Sequence, residues 1–274
     1  MEMDYIIIQA GGKGTRLVYL TKNKPKALTP VDNLPMLFHL FRKYPDKRFI
    51  IIADYKKDVL RKYLSVFSDI KYQIVEASGA GTCGGIRQAI DIIPADEPFM
   101  LVWSDLILPD GFSLPDGYEA LDIGDDIFGQ NAEAKKKDSD VLGDYVGIST
   151  TFSCRWKYEN GKFEEERSSK HGVAGFFLFH DRSVLLEVPN SGELVRWLQS
   201  RGVNFQEWSL AGTREFGLLE EYKKLETIKT RPFNRITIEG DVLKKEAVDV
   251  QGEGLAKREA AWYEYVLNKE ISGI

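Results

Sequence analysis

Short apolar runs alternate with helix-spaced segments through the first hundred residues of this chain. The apolar runs lie at 5–8, 48–53, 71–76 and 99–103. Apolar residues with helical spacing lie between them, at 35–44, 58–67 and 85–92. Because strands joined by helices pair in parallel, this order predicts an open, mainly parallel α/β sheet with helices on both faces. Ligands of such sheets bind beyond the carboxyl ends of the strands.

The pattern becomes less regular after residue 105. Residues 109–144 are rich in Asp, Gly and Lys, and we predict a loop or a mobile insertion there, with a polar stretch at 133–140. Beyond it we predict strands at 145–151 and 173–180 and helices at 192–201 and 218–228. These elements complete a domain of residues 1–230, and residues 231–274 form a C-terminal tail of different character.

Charge and cysteine content exclude several classes of protein. The net charge of −5 and the pI of about 5.5 give no broad positive field for nucleic acid or anionic lipid. Cys83 and Cys154 stand alone, without the spacing of a zinc site or a disulfide framework. No apolar run approaches the roughly 18 residues that span a bilayer, and the N-terminus lacks signal-peptide features. We expect a cytoplasmic protein without nucleic-acid or membrane partners.

A glycine-rich loop directly follows the first predicted strand, at residues 11–17 (GGKGTRL). Glycines let a backbone approach a ligand closely, and successive N–H groups can then form an anion site. Lys13 and Arg16 would add charged contacts to phosphate. The loop matches neither the Walker pattern nor the dinucleotide fingerprint. The alternative is an ordinary glycine turn with two solvated cations.

Two further segments carry residues suited to phosphate chemistry. In the segment 24–28 (KPKAL), Pro25 fixes the local backbone and directs Lys26, which could neutralise a transferring phosphoryl group. Asp105 ends the run Trp103-Ser104-Asp105 after the fourth strand, where a carboxylate is well placed to bind Mg²⁺. A simple turn or helix cap is the alternative for Asp105.

Together these segments resemble the N-terminal motifs of the sugar-phosphate nucleotidyltransferase family. The resemblance rests on residues 11–17, the segment 24–28 and Pro35-Met36, and it extends over about residues 4–230. The family includes nucleotidyltransferases for sugar 1-phosphates and cytidylyltransferases for phosphocholine. It implies a Rossmann-like mixed, mainly parallel sheet of the nucleotide-diphospho-sugar transferase type.

The resemblance also implies a role for each matching residue. Arg16, Lys26 and Asp105 would be catalytic, and Asp105 would hold Mg²⁺. The residues implied to bind the nucleotide are Ala10, Gly11, Gly12, Lys13, Gly14, Thr15, Gly79, Gly81 and Thr82. For the loop at 79–82 the alternative is a strand-to-helix turn in which Thr82 caps a helix.

The acceptor half departs from the family in two places. Leu210 stands where the family has a second metal-binding aspartate, and a leucine cannot bind a metal. Glu215 is near enough to compensate, although the favoured interpretation is a solvated surface glutamate. The Glu-Lys-Pro turn of the family is also missing, and residues 163–167 (FEEER) stand in its place. The residues expected to contact the acceptor instead are Arg155, Lys170, Gly175 and Glu193, with Arg167 as a further candidate.

The expected reaction joins a nucleoside monophosphate to a small phosphorylated acceptor and releases pyrophosphate. CTP is the favoured nucleotide, and a sugar-1-phosphate nucleotidyltransferase using UTP, GTP or dTTP is the alternative. A nucleotide-binding regulatory subunit without catalysis is a third possibility. Because a phosphate nucleophile is already ionised at pH 7, no general base is required, and His39, His171 and His180 show no acidic partner in the sequence.

The tail resembles the opening of a kinase-like lobe of the choline or aminoglycoside kinase type. Two short strands, around 237–238 and 242–245, precede a helix expected at 254–268. Lys244 or Lys245 could pair with Glu259, as in such kinases. The alternative is a helical appendage that packs on the first domain or on a second subunit, as in a homodimer. If the tail is a separate module, a chain that ends at Lys229 should keep nucleotidyl transfer.

Overall fold

The computed structural model describes residues 3–118, 143–226, 234–239 and 242–268. The strands, in chain order, are β1 Tyr5–Gln9, β2 Pro30–Val31, β3 Leu34–Pro35, β4 Arg48–Ala53, β5 Tyr72–Glu76, β6 Phe99–Trp103, β7 Leu106–Ile107, β8 Tyr145–Ser149, β9 Lys157–Glu159, β10 Lys162–Glu164, β11 Gly172–Phe179, β12 Gln206–Ser209, β13 Arg214–Glu215, β14 Asn234–Glu239 and β15 Val242–Ala247. The helices are α1 Met36–Lys43, α2 Lys57–Phe67, α3 Ile86–Ile90, α4 Leu194–Arg201, α5 Leu219–Glu226 and α6 Val250–Asn268. Short 3₁₀ turns cover Thr15–Thr21, Lys26–Leu28 and Ser183–Leu185.

The predicted parallel strands form one half of the main sheet. β1 lies between β4 and β6 and pairs with both in parallel, so that Tyr5 stands opposite Arg48 on one side and Phe99 on the other. β5 extends this half in parallel beside β4. The parallel pairing and the bounds of β1, β4, β5 and β6 confirm the prediction from the sequence closely. The agreement is close because strands buried in a parallel sheet carry continuous apolar runs, and the prediction was made from such runs.

The second half of the sheet is mixed. β11 pairs antiparallel with β6 and also with β8, and β12 pairs in parallel with β8. The β9–β10 hairpin continues the sheet beyond β11. The fold is therefore the mixed α/β sheet that the resemblance implied.

Successive residues of β1 point to opposite faces of the sheet, and helices cover each face. Ile6 and Ile8 pack with α1 and α2, whereas Ile7 packs with α3 and α4. All three isoleucines are fully buried. Burying one such side chain contributes about 1.5–3 kcal/mol, so this strand fixes both cores at once. No helix in the described ranges combines the length and apolarity needed to cross a membrane.

Two predicted helices differ in their bounds. α3 is shorter than predicted, because Ile92 and Ile93 take i→i−3 hydrogen bonds before Pro94. α6 begins at Val250 rather than 254, because the Asp249 carboxylate accepts a hydrogen bond from the Gly252 N–H at 2.8 Å and caps the helix.

Some predictions fall on residues outside the described ranges. These are most of the expected insertion at 109–144 and the domain boundary between 230 and 231. Lys229, the proposed truncation point, lies there as well. Arg167 and Lys170 lie inside the described ranges, and both are exposed.

The described part of the tail forms an antiparallel pair of strands, β14 and β15, and the helix α6, which packs on the first domain. Trp262 contacts Tyr63 and Phe67 of α2, with ring centroids 5.1 and 5.7 Å apart. This is the arrangement of the appendage alternative. The expected ion pair is also present, since Lys245 Nζ lies 2.5 and 2.7 Å from the two Glu259 carboxylate oxygens. The resemblance to a kinase lobe and the pairing of two copies stay predictions.

Candidate active site

The glycine loop follows β1 and turns at Gly14. This residue has a φ of +62°, and a side chain here would lie 2.9 Å from Thr21 Cγ2 and 3.1 Å from Lys26 Cβ. The Thr21 hydroxyl donates a hydrogen bond to the Gly14 carbonyl at 3.0 Å. Glycine at this position lets the loop pack directly on the segment that carries Lys26. The two motifs singled out from the sequence are therefore neighbours.

Lys26 forms an ion pair with Asp105. The pair lies at the carboxyl ends of the adjacent parallel strands β1 and β6, where the Ser104 N–H donates to the Gln9 carbonyl at 3.2 Å. Both side chains are largely buried, with 13% of Lys26 and 7% of Asp105 exposed. Burial by itself would raise the pKa of Asp105, but the charge and hydrogen bond of Lys26 hold that pKa below its ordinary value. Asp105 is thus held as a carboxylate.

Glu215 lies against Asp105, and the expectation of a solvated surface glutamate is wrong. β13 pairs with β7 so that Glu215 stands opposite Leu106, and the Phe216 N–H donates to the Asp105 carbonyl at 3.1 Å. This register brings the Glu215 carboxyl into a hydrogen bond with the Asp105 carboxylate. Burial and repulsion by Asp105 raise the pKa of Glu215 to about 7. Glu215 is therefore about half protonated near pH 7, and its protonated form donates a hydrogen bond to the Asp105 carboxylate.

Gly217 lies close to the side chains of both Arg16 and Glu215. A side chain at Gly217 would lie 2.0 Å from Glu215 Oε1 and 3.4 Å from Arg16 Nη2. The missing side chain therefore makes room for the glutamate carboxyl. It also lets the exposed guanidinium of Arg16 approach the acidic pair.

The loop at 79–84 packs on the start of α4. A side chain at Gly79 would lie 1.9 Å from the Asn190 carbonyl, and one at Gly81 2.2 Å from the Gly192 carbonyl. The Thr82 hydroxyl accepts a hydrogen bond from the Leu194 N–H at 2.8 Å. Thr82 is thus a helix cap, but for α4 rather than for the helix that follows it in sequence. Gly79 and Gly81 are therefore needed for this close packing, independently of any contact that they make with a ligand.

These parts line one cleft with a volume of about 490 Å³, within the range of about 300–1,000 Å³ for small-molecule sites. The predicted site residues on its wall are Gly11, Gly12, Lys13, Arg16, Lys26, Gly81, Thr82 and Asp105. Residues that the sequence analysis did not assign to the site also line it, among them Gln9, Asp54, Trp103 and Glu215. The cleft combines a glycine-rich backbone, several cations and three acids, which suits a polyphosphate and a divalent cation.

Residues 5–114 match the family described as nucleotidyl transferase. The match shows a similarity to that family over this segment. The match covers the glycine loop, Lys26 and Asp105, and it ends before β8.

The relatives and solved structures agree with the segment match. UTP–glucose-1-phosphate uridylyltransferase AglF of Haloferax volcanii is 33% identical over 110 residues, which are 37% of this chain and 43% of that protein. The chain thus spans less than half the length of the curated relatives it matches.

The solved structures cover more of the chain. The structure of HddC from Yersinia pseudotuberculosis has a TM-score of 0.61 at 18% identity, covering 83% of this chain and 100% of that one. CTP:phosphocholine cytidylyltransferase LicC from Streptococcus pneumoniae has a TM-score of 0.55 at 17% identity, with 83% and 99% covered. This likeness shows the nucleotide-diphospho-sugar transferase fold for the chain.

Several residues predicted for the nucleotidyl transferase site do not line the cleft. Ala10 is buried behind it, where its N–H donates to the Ile52 carbonyl at 2.9 Å. Gly14, Thr15 and Gly79 also lie off the wall, in loops that support it.

Gly175 supports the cleft through a neighbour. It has a φ of +72°, and a side chain there would lie 2.0 Å from Trp103 Cδ2. The absence of a side chain lets the indole of Trp103, which lines the cleft, pack directly against the backbone of Gly175. Gly175 therefore acts through Trp103, and direct contact with an acceptor stays a prediction.

The other predicted acceptor residues lie outside the cleft. Arg155 Nη2 lies 2.5 Å from Glu165 Oε1, and Arg155 Nη1 lies 3.3 Å from Glu193 Oε1. Glu193 also accepts a hydrogen bond from the Trp156 indole at 2.7 Å. Arg155 and Glu193 thus form a surface ion-pair network beside the start of α4. Lys170 is exposed, and the roles of these residues in acceptor binding stay predictions.

Leu210 packs in the core, where its N–H donates to the Ile148 carbonyl at 2.9 Å. Its side chain is fully buried, so the missing aspartate leaves no gap at that position. The sequence signal for Glu215 was only its proximity to Leu210. Glu207 is nearer still to Leu210 in the sequence, but it is exposed. Only the β13–β7 pairing distinguishes these two glutamates.

Proposed function

We propose that this chain catalyses nucleotidyl transfer from a nucleoside triphosphate to a small phosphorylated acceptor, with release of pyrophosphate. The observation that carries the proposal is the convergence of the glycine loop, Arg16, Lys26 and Asp105 on one cleft. The family match of residues 5–114 supports it, since the match includes all of these residues.

The proposed reaction needs charge stabilisation more than covalent chemistry. An oxygen of the acceptor phosphate attacks the α-phosphorus of the nucleotide in line, and the bond from that phosphorus to the pyrophosphate oxygen breaks. Lys26 is the cation closest to Asp105 and would neutralise the reacting phosphate. Lys13 and Arg16 would hold the other phosphates, with Arg16 on the leaving pyrophosphate.

Asp105 and Glu215 fit a divalent cation. Their carboxyl groups are already in contact, and carboxylate oxygens are the protein ligands that Mg²⁺ prefers. In the described ranges, no group of three or more acidic, His or Cys residues is placed to hold a metal ion. Two carboxylates suffice, because Mg²⁺ commonly takes its other ligands from substrate phosphates and water. When bound, Mg²⁺ would neutralise charge on the triphosphate. Glu215 would thereby take the place of the metal-binding aspartate that is missing at position 210, where this chain has Leu210.

The base and the acceptor have two candidate assignments. CTP with a phosphorylated alcohol, amine or sugar is our first candidate. It is supported by the missing Glu-Lys-Pro turn on the acceptor side and by the fold shared with LicC. A sugar 1-phosphate with UTP, GTP or dTTP is the second, supported by the segment similarity to AglF.

A non-catalytic regulatory subunit is the competing function from another class. The absence of a metal-binding aspartate at position 210, where Leu210 stands, favours a regulatory subunit. The presence of Arg16, Lys26, Asp105 and Glu215 in one cleft argues against it, because a subunit that only bound nucleotide would not need this arrangement.

Pyrophosphate release tests these functions together. The full chain is incubated with each of CTP, UTP, GTP, dTTP and ATP, and with phosphocholine, glucose 1-phosphate, mannose 1-phosphate and other phosphorylated acceptors. Release that requires both a nucleotide and an acceptor supports the enzyme, and the active combination names the substrates. Nucleotide binding without release for any combination would support the regulatory subunit instead.

A further inference from the structure

A second cavity, separate from the nucleotide cleft, lies between the first domain and the tail. Its walls are α2, the segment 23–38 and α6, and its volume is about 270 Å³. No described residue lines both this cavity and the nucleotide cleft. We call it the tail groove. The segment that contributes Lys24 to this groove contributes Lys26 to the nucleotide cleft, so the two sites share one short stretch of chain.

Aromatic rings form the walls of the tail groove. Phe38 and Tyr63 meet edge to face with centroids 5.8 Å apart, and Tyr63 contacts Trp262. Phe67 lines the groove beside them. Aromatic faces and edges favour a flat apolar ligand over a flexible polar one. A volume near the lower end of ligand sites limits such a ligand to one or two rings.

The charges lining the groove are predominantly positive. Lys24 and Arg258 line it, and neither has an ion-pair partner among the described residues. The acidic lining residue, Glu259, is neutralised by Lys245. Burial lowers the pKa of Lys24, and no carboxylate opposes that effect. A negatively charged group would therefore be attracted to the groove.

We propose that the tail groove binds a small organic anion with a planar aromatic body. Its ring would lie among Phe38, Tyr63 and Trp262, and its anionic group would contact Lys24 and Arg258. The site joins the two parts of the chain, since its ligand would contact both α2 and α6. It is independent of the proposed nucleotidyl transfer, because none of its residues takes part in that reaction.

The test uses a pair of probes that differ only in charge, indole-3-acetate and its neutral amide, indole-3-acetamide. Indole N–H signals of the ¹⁵N-labelled full chain are followed by NMR during titration. The chain has five tryptophans. Trp262 reports the tail groove and Trp103 reports the nucleotide cleft, and the variants Trp262→Phe and Trp103→Phe assign their signals.

We expect indole-3-acetate to shift the Trp262 signal in a saturable manner while Trp103 stays in place. The amide should bind at least about tenfold more weakly, because it lacks the charge that Lys24 and Arg258 attract. Lys24→Gln and Arg258→Gln should each weaken binding of the acetate at least about fivefold. Lys22→Gln is the matched control, since Lys22 is an exposed lysine two residues before Lys24 that does not line the groove.

Three results would overturn the proposal. The Trp262 signal could stay unshifted, the acetate and the amide could bind equally, or Lys24→Gln and Arg258→Gln could leave the affinity unchanged. A shift of Trp103 alone would place the probe in the nucleotide cleft and would equally refute the tail-groove site. None of these results bears on pyrophosphate release, so this inference and the proposed function fail separately.

Discussion

Glu215 shares a hydrogen bond with Asp105, on the side of the cleft where Lys26 pairs with the same aspartate. One carboxylate thus contacts both a cation and a second acid. The neighbouring backbone hydrogen bond from the Phe216 N–H to the Asp105 carbonyl fixes this arrangement. The predictions below begin with this group.

Asp105→Asn should remove activity and preserve the fold. The amide keeps the size of the side chain but loses the charge that would hold Mg²⁺, and we expect turnover to fall about 100- to 1,000-fold. Pyrophosphate release measures the loss, and circular dichroism checks the fold. Asp110→Asn, an exposed acid outside the cleft, is the control. Turnover close to wild type at low Mg²⁺ would disprove the metal role.

Glu215→Gln should weaken cation binding. Glutamine keeps the shape of the side chain but removes one negative charge, so the affinity for Mn²⁺ with bound nucleotide should fall about tenfold or more. Electron paramagnetic resonance of free Mn²⁺ measures this affinity without relying on turnover. Glu207→Gln serves as control, because Glu207 is exposed and does not line the cleft. Equal Mn²⁺ affinity in the two variants would show that Glu215 is no ligand.

Arg16→Ala should reduce catalysis more than nucleotide binding. If its guanidinium acts on the leaving pyrophosphate, the transition state should lose about 2–4 kcal/mol while the Kd of the nucleotide changes little. Comparing kcat with a directly measured Kd separates the two effects. Lys22→Ala removes a nearby cation outside the cleft and should change neither quantity. Weaker nucleotide binding at an unchanged kcat would mean that Arg16 stabilises only the bound nucleotide and not the transition state.

Trp262→Ala should lower the free energy of unfolding by about 1–3 kcal/mol, because the indole packs on Tyr63 and Phe67. Thermal denaturation measures the change. Tyr263→Ala is the matched control, since Tyr263 is 60% exposed on the same helix. Equal melting temperatures for the two variants would contradict the packing.

A chain that ends at Lys229 should melt at a lower temperature than the full chain, because Tyr63 and Phe67 lose their cover. Below that temperature it should keep pyrophosphate release, since Arg16, Lys26, Asp105 and Glu215 all precede the cut. Protease should cleave slowly at 251–254, because these residues lie inside α6 rather than in a linker. Loss of activity in the folded truncated chain would show that the tail is part of the catalytic unit.

His180 should make the stability depend on pH. Burial would lower its pKa, but Asp144, whose Oδ1 lies 2.7 Å from Nδ1, and Asp181 raise it above the ordinary value. A raised folded pKa stabilises the protein fully below the unfolded pKa, and this stabilisation is lost as the pH rises through the folded pKa. His180→Gln should therefore lower the melting temperature more at pH 6 than at pH 8.5. An equal effect at both pH values would refute the assignment.

The sequence alone determined the parallel core and the nucleotide side of the site. The strand β1, with its continuous run of isoleucines, must be buried on both faces, and burial of this kind is encoded locally. The glycine loop, Lys26 and Asp105 each follow or adjoin a local element that the apolar pattern predicts. Their meeting at one sheet edge follows from parallel pairing, because neighbouring parallel strands present the same end.

Only the tertiary structure decided which other residues join the site. Glu215 reaches Asp105 through the pairing of β13 with β7, and His180 reaches Asp144, which lies 36 residues before it in the chain. Thr82 caps α4 rather than the helix that follows it. Such contacts depend on the register and packing of elements far apart in sequence. Local patterns of hydrophobicity fix which elements form, but not which of their polar side chains meet.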